Sequence, residues 1–460
     1  MKHSTTALLA AVTLSAASGL SAQASNDEIK LLGSQLTPWG AEKAGNADGS
    51  IPEYTGGISS PPPGFDRNSG HLVDPYAAEK PRLIINASNI AQYHDKLTPG
   101  TIALLQRWPE YRLDVYPTHR SYPAMSESRA QGTLANARNP QCKTSADGVG
   151  LQGCWYGTPF PIPKTGYEVM WNHQTRDQLD YELKMQSWIV DASGNPVLTN
   201  ESFQYADFPY WHKDITPYQG AGEYYYRFLN RTVAPARDAG QKALIWYPAQ
   251  FDKLDQRTWS YTTGQRRTRL APEMSYDTPS ASLSGAMNYD ELSLFSGRMD
   301  RFDFKLVGKK EMFLPYNQFR YLTATPDKLI GKQYVNPDHF RWELHRVWVV
   351  EATRKEGKRH IAAKRRFYVD EDSWTILAAE SIDDSGKIFR VGLSALIPWY
   401  DRDSEGNAGT MSFASITYDL TRGQYVMAAY VNPETGSVRH PGRQPDHMFR
   451  SENMAGTGVR

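Results

Sequence analysis

The residues best placed to do chemistry lie in one segment, HFRWELHRVWVVEA, residues 339–352. A strand turns alternate side chains to opposite faces. One parity therefore presents Phe340, Trp342, Leu344, Trp348, Val350 and Ala352, with Arg346 in their midst. A guanidinium on an apolar face is costly unless a carboxylate or a polar guest meets it. The other parity, Arg341, Glu343, His345, Val347, Val349 and Glu351, reads as a half-wet surface. Arg266, Arg267 and Arg269, with Lys364, Arg365 and Arg366 further on, form a second polar feature. Arginine binds anionic groups through charge-assisted forks, so Arg266, Arg267 and Arg269 suit an anionic head group or an acidic partner. Two solvated strand faces would explain the same cluster.

Other patterns fail on context. GVGLQG, residues 148–153, has the glycine spacing of a dinucleotide loop, but no strand precedes it and no helix follows. DRDSEGNAGTMS, residues 401–412, starts like a calcium loop, yet its twelfth position is Ser412 rather than a bidentate glutamate. It reads as an acidic hairpin turn. His339 and His345 share a strand face but stand roughly 20 Å apart, so with His360 they make no metal site. No G-x-S-x-G elbow is present, since GLSAL at 392–396 lacks the second glycine. Neither a cofactor nor a metal is expected, and no catalytic constellation stands out; an envelope hydrolase is the least favoured reading.

The elements that position these residues follow from the rest of the chain. Its 460 residues hold 51 Lys plus Arg against 50 Asp plus Glu, so no charge excess points to nucleic acid. With 27 tyrosines, 12 tryptophans, 35 glycines and 29 prolines, the composition suits strands joined by many turns. Lys2 and His3 precede a small apolar run, Ala7 to Leu20, and Ala22-Gln23-Ala24 gives a small-x-small cleavage pattern. Residues 1–24 are thus expected to be an export signal, leaving a periplasmic protein that begins at Ser25. In that oxidising compartment Cys142 and Cys154 pair as one local disulfide, worth roughly 3 kcal/mol in the chain-entropy model.

Residues 25–166 read as irregular, with short helices in NIAQYHDKL and TIALLQRW. Long alternating strands occupy residues 167–435, beginning with LDYELKMQSWIV and including RFDFKLVGKKEMFL and KIFRVGLSALI. Asn288 and Glu291 are spaced as a capping box before one helix. Residues 436–460 are a C-terminal tail. Sequential strands with short turns make an antiparallel meander, and about ten strands in one sheet curl and need a cover. The fold class is mainly β with short helices (α+β).

LTPWGAEKAGNADGSIPEYTGG, KLTPGTIALLQRWPEYRLDVYPTHRS, GKKEMFLPYN and the block from Arg341 to Trp374 resemble the proteins called domain of unknown function 1329, over nearly the whole mature chain. The strand part is similar in layout to the periplasmic lipoprotein carriers and receptors of the Lol system. That resemblance implies an incomplete, strongly curved antiparallel barrel, closed by helices, whose hollow holds acyl chains. It also implies association with RND-type exporters and an outer-membrane partner, and it brings no catalytic residues. Trp246, Phe340, Trp342, Leu344 and Trp348 are then expected to line the hollow, with Arg346 meeting a polar or anionic group. The expected function is a carrier for a lipid or other hydrophobic molecule. The competing expectation is a non-carrying docking subunit of an envelope transport complex.

Overall fold

Apolar and polar residues alternate along most of the chain after Leu179, and those runs become strands in the computed structural model, which describes residues 23–456. The expected export signal lies outside the described residues except for Gln23 and Ala24. Before the long strands come β1 (Leu83–Asn86) and β2 (Arg112–Val115). The first long series is β3 (Tyr181–Val190), β4 (Pro196–Asp207), β5 (Tyr224–Ala234), β6 (Lys242–Pro248), β7 (Arg257–Thr262) and β8 (Arg267–Leu270). The second is β9 (Phe302–Pro315), β10 (Arg341–Arg354), β11 (Lys364–Asp370), β12 (Ile376–Ile382), β13 (Ile388–Ser394), β14 (Ser415–Asp419) and β15 (Gln424–Tyr430), followed by β16 (Ser437–Arg439).

All belong to one 16-stranded sheet, ordered β1-β2-β10-β11-β12-β13-β14-β15-β3-β4-β5-β6-β7-β8, with β9 also on β10 and β16 also on β3. The pairings are antiparallel except where Arg341 and Trp342 run parallel to Asp114 and Val115. The path ends at β1 and β8, which do not meet, so the sheet stays open. Register shifts at Leu306/Gly308, Ser187/Trp188 and Met427/Tyr430 mark bulges, which bend strands and increase twist. The architecture is mainly β with short helices, an open and largely antiparallel sheet.

Among the described residues three α-helices reach nine residues: α1 (Pro99–Arg107), α2 (Glu127–Arg138) and α3 (Gly166–Gln174). α1 lies over β12 and β13, where Gly100 N donates to the Glu380 carboxylate and Trp108 packs 5.8 Å from Tyr418. α3 lies on the opposite face against β9 and β10, beside the 281–299 segment that sets Phe295 against Phe367. One hydrophobic core runs from Trp39 through Trp171 and Trp342 to Val438.

Three expectations are corrected. The face carrying Arg341, Glu343 and His345 is not half-wet: those residues are buried, because residues 76–122 lie across it. Arg365 and Arg366 are not solvated beside Lys364, since Arg365 is buried against Asp290 and Arg366 bridges Glu351 and Glu380. The helix after Asn288 shrinks to a 3₁₀ turn, Tyr289–Leu294, interrupted where Ser293 and Leu294 take φ of 50° and 67°. Segment 25–166 supplies β1 and β2 to the sheet, and the tail supplies β16.

Candidate functional site

Arg346 has its counter-charges within the protein. Its Nη1 lies 3.3 Å from Glu371 Oε1 and donates to the Ala44 carbonyl at 2.9 Å, while Glu311 and Glu42 lie at 3.8 and 3.9 Å. Glu371 also takes Lys309 at 2.8 Å and Arg120 at 3.5 Å. Phe340, Trp342 and Leu344 are sealed in the core, and Trp348 is half-buried, stacked 6.3 Å from Trp374. On the other side of the strand Glu343 accepts from Arg341, His345 and Asn317, which holds its carboxyl down at about 2 despite burial. These partners make β10 a packed, charge-balanced strand.

Trp246 stands elsewhere. It faces Trp259 at 4.8 Å and Tyr224 at 4.9 Å, in a small cluster that Phe449 and Met454 of the tail complete. Arg266, Arg267 and Arg269 are exposed on the β7–β8 hairpin at the sheet's free end, with no ion pair among the described residues. Cys142 and Cys154 form the disulfide, around the short hairpin of Lys143–Thr144 and Leu151–Gln152. In the acidic turn Asp403 accepts from Glu405 N, Asn407 N and Asn407 Nδ2 at 2.8–2.9 Å, and Asp401 pairs with Arg67. His345 and His360 have separate partners, Glu343 and Asp290. Asp180, Asp207 and His212, and separately His345, Asp370 and Asp372, bring possible ligand atoms within 4.8 Å of one another. In each group one carboxylate already pairs with an arginine, Asp207 with Arg227 and Asp372 with Arg120. A cleft of about 1120 Å³ lies between the disulfide loop and the start of α3, with Gln23 and Ala24 among its walls. None of the residues expected to bind ligand lines it.

The arrangement with unspent capacity lies on the inner face of β3 to β6, next to α3. Alternation puts Tyr181, Leu183 and Met185 on that face, and the register sets Leu183 opposite Gln204, Ala206 opposite Phe228, and Tyr226 opposite Tyr247. The rings form a continuous wall: Phe208 stacks on Tyr226 at 4.7 Å, Tyr226 on Tyr247 at 5.6 Å, and Tyr181 meets Phe413 at 5.6 Å. Gln204 Nε2 donates to the Tyr181 and Tyr226 hydroxyls at 2.8 and 3.3 Å. Leu183, Tyr225 and Ile245 are sealed, but Gln204, Tyr226 and Phe413 keep accessible surface.

Arg176 joins this wall from the end of α3. A capping box starts the helix: Glu168 N donates to Thr165 Oγ1 at 3.2 Å and Thr165 N to Glu168 Oε2 at 3.3 Å. Eight of its nine residues are buried, and Gln174 and Thr175 end it, so the chain enters β3 through Arg176. Arg176 Nε donates to Ser412 Oγ and Nη1 to the His173 carbonyl, both at 2.7 Å. With its amide turned to satisfy both ends, Gln178 accepts from Nη2 at 3.0 Å. All these acceptors are neutral. The nearby carboxylates are engaged elsewhere, Asp177 with Arg129 and Tyr122, Asp180 with His212 and Phe208 N. Burial pushes the Arg176 pKa down to about 10, which leaves it a cation at neutral pH. The same burial raises Tyr181 and Tyr226, so their hydroxyls act as hydrogen-bonding groups and not as bases. The geometry offers an apolar wall beside one cation, suited to binding.

Sequence reasoning missed α3 and with it Arg176. GYEVMWNHQ spreads Glu168, Asn172, His173 and Gln174 among its apolar residues, so it shows no helical stripe. The capping signature in Thr165 and Glu168 was the available signal.

The model of a family described as "Protein of unknown function (DUF1329)" matches residues 84–455. An uncharacterized protein of Pseudomonas aeruginosa is 38% identical over 421 residues, covering 90% of this chain and 89% of that one. A solved DUF1329 family protein from Desulfovibrio piger is 14% identical, covering 63% of this chain and 97% of its own, at a TM-score of 0.41. A solved LolA superfamily protein from Nitrosomonas europaea is 10% identical, covering 62% and 98%, at a TM-score of 0.34.

Proposed function

The chain belongs to the DUF1329 family of proteins of unknown function, and we propose that it is a periplasmic binding or carrier protein for a lipid or other hydrophobic molecule. The ligand lies against the inner face of β3 to β6. One observation carries this reading: on the aromatic wall of Tyr181, Phe208, Tyr226 and Phe413, the Tyr226, Gln204 and Phe413 side chains are half-buried and keep accessible surface. A mostly apolar concave site with few polar groups is the usual form of a small-molecule site. The disulfide supports an oxidising compartment, and among the described residues no helix is long and apolar enough to cross a membrane. The reading is non-enzymatic, since no nucleophile with a matched base lies on this wall. Of the residues first expected to bind ligand, Trp348 alone keeps accessible surface on β10, and Phe340, Trp342, Leu344 and Arg346 serve the fold in this reading.

A second reading rests on Arg266, Arg267 and Arg269, exposed and without ion pairs among the described residues, at the open end of the sheet. We propose this hairpin as the contact for an RND-type exporter or its outer-membrane partner, with carriage and docking as two halves of one task. Reversing the three charges then removes capture of such a partner from membranes while ligand binding persists.

Titration with N-phenyl-1-naphthylamine tests the binding reading. Gln204 sits at the accessible part of the wall, so Gln204→Trp fills the space and weakens probe binding at least tenfold with the fold intact. Unchanged binding in that variant contradicts the site, and no binding to the natural protein contradicts the function.

A further inference from the structure

The charge inventory around the aromatic wall points to the kind of ligand. Among the described residues every buried arginine has a carboxylate. Arg120 has Asp372, Arg129 has Asp177, Arg227 has Asp207, Arg365 has Asp290 and Arg390 has Glu291. Arg346, expected from the sequence to meet a guest, has Glu371. Arg176 breaks this pattern. Among the described residues it makes no ion pair, and its partners are a serine hydroxyl, a peptide carbonyl and a glutamine amide. Those acceptors orient the guanidinium without neutralising it. A half-buried charge without a counter-ion is still costly, and an anion from outside would offset that cost.

Its surroundings limit what that anion is attached to. Arg176 keeps accessible surface, as do Tyr226, Gln204 and Phe413 on the adjoining wall. Tyr181 and Tyr226 are its neighbours on the wall, neutral phenols whose rings continue into Phe208, Phe413 and Tyr247. A free inorganic anion would use the guanidinium and leave the rings idle, whereas a neutral lipid would use the rings and leave the cation bare.

Resting on the binding reading above, we propose that the ligand is an anionic amphiphile: its carboxylate or phosphate pairs with Arg176, and its hydrocarbon chain lies along Tyr181, Phe208, Tyr226 and Phe413. Arginine suits this role because its planar fork matches two oxygens of either group. Arg176 is the specificity-determining residue of the site, with Ser412 and Gln178 fixing its orientation.

The experiment compares laurate, methyl laurate and dodecyltrimethylammonium, each below its critical micelle concentration, by isothermal titration with the full mature chain. Expected is laurate binding at least tenfold tighter than the ester, with the cationic analogue weakest. Arg176→Gln removes that preference and leaves the ester unaffected, while Arg176→Lys keeps part of it. Millimolar inorganic phosphate leaves laurate bound. Equal affinity of laurate and ester for the natural protein overturns the proposal and leaves the carrier reading standing; this comparison needs no variant to fold. Displacement of laurate by phosphate alone overturns the amphiphile in favour of a simple anion site. Binding of none of the three overturns both readings.

Discussion

At the scale of single residues, the protein spends its buried charges on itself. Glu371 holds Arg346, Lys309 and Arg120 at once. Removing it leaves Arg120 with Asp372 and Lys309 with Glu42 but takes from Arg346 its nearest carboxylate, and breaking a buried pair costs about 3 kcal/mol or more. Glu371→Ala is therefore expected to lower the urea midpoint by that equivalent, and an unchanged midpoint contradicts the network. Glu343 gives a pH prediction. Its carboxyl is held at about 2 in the fold against an ordinary 4.5, chiefly by Arg341 working against burial, with His345 and Asn317 assisting. A depressed folded pKa contributes stability that is complete above about pH 4.5 and is lost as pH falls toward 2. Unfolding measured across that window should show a component of the acid slope that is absent in Glu343→Gln. Arg346 was legible as an anomaly in the sequence, but its partners were not: Glu371 lies 25 residues on, just after β11, while Ala44 is 302 residues away. Long-range pairing leaves no local trace.

At the scale of elements, period-2 alternation made β3, β9, β10 and β13 readable, because one face of each is apolar. β1 and β2 were lost in the irregular segment: four residues apiece give alternation no room, and β2 meets β10 from more than 200 positions away. α2, ESRAQGTLANAR, is too polar to announce itself, and α3 mixes polar and apolar residues all round. α1 was readable from the apolar side of TIALLQRW, although it starts two residues earlier, at Pro99, and its docking gives an element-level test. A Cβ on Gly100 would lie 3.0 Å from Glu380 Cγ and 3.1 Å from Val391 Cγ1. Gly100→Ala should cost about 1–3 kcal/mol through that overpacking, even though alanine favours helix. Amide exchange should quicken in α1 ahead of α3. Stabilisation by the alanine would mean that α1 is not pinned to the sheet.

At the scale of the whole molecule, the sequence pointed to a curved sheet with a covered apolar face, and the structure has an open 16-stranded sheet with helices on both sides. The site was less readable than the fold. Trp246 and the β10 tryptophans looked equivalent as aromatic strand residues, yet the first packs under the tail with Phe449 and the others in the central core. Which face of a strand a segment covers depends on the path of the whole chain. The aromatic wall beside α3 needs β3, β4, β5, β6 and the Phe413 segment together, so no window of sequence contains it. The central claim is that this wall holds a hydrophobic guest. Native mass spectrometry of the protein purified gently, without denaturant or detergent, followed by solvent extraction and lipid analysis, tests it most directly. The natural protein is predicted to carry an extractable hydrophobic molecule at close to one per chain, and Gln204→Trp to carry none. Repeated recovery of the natural protein empty, or equal loading of the two proteins, would contradict it.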